Sequence, residues 1–176
     1  MVVYQGRELS LAGVKGEGLF DPTDHGLKPV MISTACWRGF VCTYEVVEVR
    51  LRLRDLEIGL DDDQVELCGR RPQRERFGGQ RFTELAHPVP FTGGLLLADG
   101  FIQELYVHMG FHPAWKFEVV HELIFADGEL TSAADRSREI AQLRQEIAHR
   151  SLGPEGGDRQ TIQAWVERTF QRDYRW

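Results

Sequence analysis

The chain has 176 residues, 42% of them hydrophobic, which suits one domain whose core hides roughly two-thirds of the unfolded surface. Its formal net charge of -6 argues against a general nucleic-acid binder, whose affinity rests on basic residues gathered on one face. Three cysteines without paired spacing argue against a disulfide framework, a zinc finger or a redox motif, and no apolar run approaches the length of a membrane span.

The amino-terminal residues lack the basic-then-apolar pattern of a secretion signal, so a cytoplasmic protein is expected. Residues 2–4 and 9–11 read as short strands about a turn at Gln5, Gly6 and Arg7, at the edge of a sheet. FDPTDHG, at 20–26, is turn chemistry. Asp21, Asp24 and His25 could also offer metal ligands, but the turn accounts for all three.

Residues 34–60 organise the rest: apolar and β-branched residues alternate with polar ones, as a half-buried strand requires. One straight strand over 37–58 would run roughly 70 Å, against a radius of gyration of about 16 Å for a domain of this size. The stretch must therefore be a hairpin, with its reversal at 47–50. Leu51 and Leu53 hold one phase while Leu56 and Ile58 take the other, which predicts a bulge at Arg54 and Asp55. Cys36 and Cys42, six apart in one predicted strand, share a face roughly 20 Å apart and cannot bridge. Arg50, Arg52 and Arg54 read as a solvated strand face, balanced by Glu45, Glu48 and Glu57, rather than a phosphate site. The acidic triplet at 61–63 ends the strand in a solvated loop.

At 69–82 the composition shifts to GRRPQRERFGGQRF, a positively charged excursion from the core. It is the predicted partner-binding element, through Arg70, Arg71, Arg74, Arg76, Phe77 and Arg81. The same side chains could contact nucleic acid, but the acidic body favours an acidic protein surface.

Residues 87–90, HPVP, make a rigid connection. Strands are predicted at 93–97 and 101–108 about Asp99 and Gly100, then at 116–125 and 129–131 about Asp127 and Gly128, so the sheet is antiparallel. Between them lie His108, His112 and His121. The H-x3-H spacing can hold zinc on a helix, but Gly110 and Pro113 break any helix there, which leaves the three histidines as weak metal candidates. A thiol enzyme would use Cys36 with His87, His108 or His121 as base, although a cysteine beside Trp37 on a central strand reads first as packing. No cofactor fingerprint is present.

The period changes after Thr131. Ser132 with Asp135 predicts a helix cap, and Ile140, Leu143 and Ile147 lay a stripe along a helix at 133–150. A second helix is predicted from about 159 to 171, with Ile162, Trp165, Val166 and Phe170 on its apolar face. Trp176 ends an aromatic tail that joins the partner-binding set.

Three segments together, TACWRGF at 34–40, FTGGL at 91–95 and YVHMGF at 106–111, resemble a family of small bacterial proteins with TACWRGY-like and YVHMGY-like motifs. The resemblance covers residues 28–131 and implies a shared fold without an assigned activity. This chain departs from the pattern in lacking a glycine at the hairpin reversal, in its arginine-rich excursion and in its helical tail.

The expected fold is α+β: a twisted antiparallel sheet of six to nine strands, meander- or sandwich-like, over 1–131, followed by two helices within 132–176 that pack on it. The expected function is a non-enzymatic bacterial interaction module with a protein partner, such as an immunity-like or defence-system accessory subunit. A metal- or thiol-dependent enzyme and a nucleic-acid-binding accessory protein are the alternatives.

Overall fold

A computed structural model describes residues 1–62, 65–75, 79–107 and 111–148, together with 159, 160 and 163. Its strands are β1 (Val2–Tyr4), β2 (Arg7–Glu17), β3 (Phe40–Val47), β4 (Arg50–Ile58), β5 (Gln73–Arg74), β6 (Gln80–Phe82), β7 (His87–Pro88), β8 (Thr92–Phe101), β9 (Phe117–Ala126) and β10 (Glu129–Asp135), and its helix is α1 (Ser137–Ala148). The expected α+β arrangement of an open sheet followed by two helices is overturned: the described structure is mostly strand (49%), seven strands close a β-barrel, and among the described residues there is one helix of seven or more residues. The barrel order is β10, β9, β8, β2, β1, β3, β4, and β4 returns to β10 where Arg50 faces Glu129. Closure removes the sheet edges that an open meander would expose. The predicted second helix lies outside the described residues apart from 159, 160 and 163.

The chain divides into two compact units. The first comprises Met1–Glu8, Glu17–Thr92 and Ala126–Leu130. Its central hairpin reverses at Glu48 and Val49, with Glu48 in the left-handed region at φ 58°. Thr43 faces Asp55 while Tyr44 faces Leu53, so Arg54 is the extra residue of a bulge. The bulge moves the buried set from Leu51 and Leu53 to Leu56 and Ile58, and it also buries Asp55. That carboxylate accepts hydrogen bonds from Arg54 Nε at 3.0 Å and the Glu84 amide at 3.1 Å, and Arg81 lies 3.6 Å away. β1 was expected at a sheet edge; it pairs in parallel with β3, Val2 facing Tyr44, so the sheet is not wholly antiparallel.

The second unit comprises Leu9–Gly16, Gly93–Phe125 and Thr131–Trp176. Asp99 and Gly100 were expected to turn the chain, but β8 continues through them and pairs with β9 from Gly93 opposite Phe125 to Phe101 opposite Phe117. Gly100, at φ 68°, takes up the irregularity within the strand. β10 extends to Asp135, so Ser132 is a strand residue and α1 begins at Ser137, whose amide and hydroxyl both donate to Asp135 Oδ1. Ile140 of α1 packs with Ala12, Leu96, Trp115, Phe117 and Val120 in a buried cluster. Arg144 fastens the helix by donating from Nε to the Trp115 carbonyl at 2.8 Å and from its second terminal nitrogen to the Phe117 carbonyl. Among the described residues no helix is long and apolar enough to cross a membrane.

Candidate functional site

The first unit carries a rigid turn that presents apolar side chains to solvent. Residues 30–39 double back between Ser33 and Cys36, which form an isolated bridge, and turn again from Cys36 to Gly39, whose amide donates to the Cys36 carbonyl at 3.1 Å; Trp37, on this second turn, is 78% exposed. Met31 is 62% exposed, and Val30 and Val41 are also exposed. These four are half of the eight large apolar side chains left exposed among the described residues, gathered within twelve positions. Scattered apolar residues are normal on a surface; a local group is informative.

The turn is clamped at its base. The Val30 amide donates to the Gly59 carbonyl at 2.9 Å, and the Gly59 amide to the Gly39 carbonyl at 2.8 Å. A Cβ at Gly59 would sit 2.2 Å from the Val30 oxygen and one at Gly39, which has φ 83°, 2.5 Å from it, so only glycine lets these backbones meet. Arg38 lies over the Phe40 ring, 4.4 Å from its centroid, and donates to the Phe40 carbonyl. Among the described residues no carboxylate pairs with it.

The arginine-rich excursion runs beside this turn. Its described part is a short hairpin of β5 and β6, joined to β4 through Phe82 opposite Leu56. A Cβ at Gly79 would touch Ile32 at 3.6 Å, so the hairpin end abuts the Trp37 turn. Arg71 pairs with Glu66 at 2.8 Å, Arg70 lies 3.8 Å from Glu84, and Arg81 lies between Asp55 and Glu75. Arg74 is exposed on β5. Arg76, Phe77 and Trp176 lie outside the described residues.

A second feature of the same unit centres on His87. Its ring meets the ring of His25 edge-on at 5.0 Å, and His25 stacks on Phe20 at 4.6 Å. His25 closes a 3-10 turn, Pro22–His25, capped by Asp21, whose carboxylate accepts from the Thr23 amide and hydroxyl. These turn interactions hold the Asp21 carboxyl below the usual carboxylate range, chiefly through the Thr23 side-chain hydrogen bond. His87 also lines a cleft of about 680 Å³, together with Arg50, Arg52, Pro88, Pro90 and Asp127. Arg50 is held by Glu129 at 2.9 Å, whereas no carboxylate pairs with Arg52 among the described residues. Cys68 Sγ lies 3.3 Å from His87 Nδ1. Burial lowers the His87 imidazole below its ordinary value, with His25 adding to the effect, and burial raises the Cys68 thiol.

The described histidine and cysteine candidates form no common metal group. His108 lies outside the described residues. In the second unit the His112 ring sits against Phe101 and Tyr106, at 4.9 and 5.7 Å, and His121 faces Leu97 across the β8–β9 pair. Among the described residues no three His, Cys, Asp or Glu side chains are grouped to hold a metal ion. Cys36, expected as packing on a strand, instead lies on the Trp37 turn, its thiol directed at the Phe40 carbonyl at 3.7 Å. Cys68 with His87 was missed because nineteen residues separate them; the only local signal was Cys68-Gly69, a dipeptide suited to a two-residue turn.

The chain matches no known protein family, no curated protein and no solved structure.

Proposed function

We propose that this chain is a protein-interaction module that docks an acidic partner through the Trp37 turn and the adjoining arginine-bearing hairpin. The observation that carries the reading is the 78% exposure of Trp37 on a turn clamped by Gly39 and Gly59. A tryptophan left in water forgoes the burial that such a side chain ordinarily gains, and tryptophan and arginine are the residues most enriched where interfaces concentrate their energy. Clamping fixes the backbone before docking, so little ordering entropy remains to be lost on association. The occupant that fits is a protein surface with an apolar pocket for Trp37 and Met31, rimmed by carboxylates facing Arg38, Arg74 and Arg81.

A photo-crosslinking benzoylphenylalanine placed at position 37, and separately at the exposed Val49 outside the patch, tests this in the native host. The expected result is one adduct at position 37 with a different protein, mapped to an apolar pocket edged by Asp or Glu, and none at position 49. An adduct with a second copy of this chain, an adduct with nucleic acid, or equal labelling from both positions overturns the reading.

A further inference from the structure

Cys68 stands apart from an ordinary packed cysteine. Buried cysteine behaves as a small hydrophobe, whereas Cys68 is exposed, at φ 52°, as the first central residue of a two-residue turn closed by Leu67 and Arg70, which exchange both backbone hydrogen bonds at 3.0 Å. Asparagine, aspartate or glycine ordinarily fills such a position. Here the turn holds a thiol against the one imidazole that also walls the 680 Å³ cleft. Arg52, which also lines the cleft, offers a guanidinium that no described carboxylate neutralises.

We propose that Cys68 and His87 form a thiol–imidazole site that undergoes exchange with small disulfides bearing carboxylates, the cleft seating the disulfide and Arg52 binding a carboxylate. With the ring proton on Nε2, His87 Nδ1 accepts the Cys68 proton. The thiolate attacks one sulfur of the disulfide, its S–S bond breaks, and a new bond forms between Cys68 Sγ and that sulfur. The departing thiolate takes the proton back from His87, so one thiol and one disulfide are consumed and one of each is produced. Depression of the His87 imidazole keeps it neutral and able to accept near pH 7. The raised Cys68 thiol makes that acceptor necessary, since little thiolate would form unaided.

The test treats the whole folded protein with oxidised glutathione, and separately with uncharged hydroxyethyl disulfide, and follows adducts at each cysteine by mass and peptide mapping. Cys68 is expected to react ahead of Cys36 and Cys42. His87→Gln should slow it by about a hundredfold with both reagents. Arg52→Ala should slow the glutathione reaction by about threefold and leave the hydroxyethyl disulfide reaction unchanged. The wild type supplies a reading that needs no variant: Cys68 in the folded chain should outpace Cys68 in the urea-unfolded chain. A folded rate at or below the unfolded one, or a folded His87→Gln protein that reacts like wild type, overturns the proposal.

Discussion

Trp37 and Trp115 are the same residue put to opposite uses. Trp115 sits in a 3-10 turn with 9% of its surface exposed, packed among Phe117, Val120 and Ile140, and its carbonyl holds Arg144 of α1. Trp37 stands on a turn no less firmly held, yet 78% of it meets water. In one case backbone order serves to bury an aromatic ring, and in the other it serves to display one. A ring that stabilises the fold can be removed only at a cost to folding; a ring that is displayed can be removed without one.

The sharpest break between the two follows from truncation. Trp115→Ala should cost about 3–5 kcal/mol in chemical denaturation, because it opens a cavity beneath α1. Next comes the clamp: Gly59→Ala forces a Cβ to within 2.2 Å of the Val30 oxygen, so the backbone must shift, and a loss of about 2 kcal/mol or more is expected in the same measurement. Asp55→Ala should cost about 1–3 kcal/mol, since it leaves the Glu84 amide and two arginines without their buried acceptor.

A smaller effect appears in acid. His87 and His112 are both held below the ordinary imidazole value of 6.5, chiefly by burial, with His25 and Lys116 respectively contributing positive charge. Each therefore binds fewer protons folded than unfolded between its folded value and 6.5. Their contribution is complete above pH 6.5 and falls as the pH drops toward the folded values, so denaturation midpoints should decline across that window. His87→Gln should flatten the decline. Smallest of all is Trp37→Ala, which should stay within about 0.5 kcal/mol of wild type; a larger loss would place Trp37 with Trp115 and end the contrast.

Much of the first unit could be read from residues alone. Phase in the run of Leu51, Leu53, Leu56 and Ile58 located the bulge at Arg54, and the length of the run required the reversal found at Glu48 and Val49. The Asp127–Gly128 turn was equally legible, because φ is positive at both residues, 48° and 75°. Asp99 and Gly100 carry the same dipeptide yet lie inside β8, since pairing with β9 outweighs a local turn preference. Barrel closure left no local signal: it depends on Arg50 reaching Glu129, seventy-nine residues on, and on β1 joining β3 in parallel.

The candidate sites were less legible than the fold. Cys36 and Trp37 were placed on a central strand, the cysteine as packing, because Gly39 and Gly59 could not be seen to clamp a turn until Val30 was placed against both. The arginine-rich hairpin was recognised by composition, but its neighbour Ile32, and through it the Trp37 turn, was not. Cys68 and His87 meet only after the chain has passed through β5 and β6.

The most direct test of the account is the affinity of the protein captured at position 37, measured against wild type and Trp37→Ala by titration calorimetry, with thermal unfolding of both chains. Equal unfolding midpoints are expected, with a loss of at least about 2 kcal/mol in binding, roughly thirtyfold in Kd. Equal affinity for the two chains, or a loss of binding that tracks a loss of folding, would contradict it.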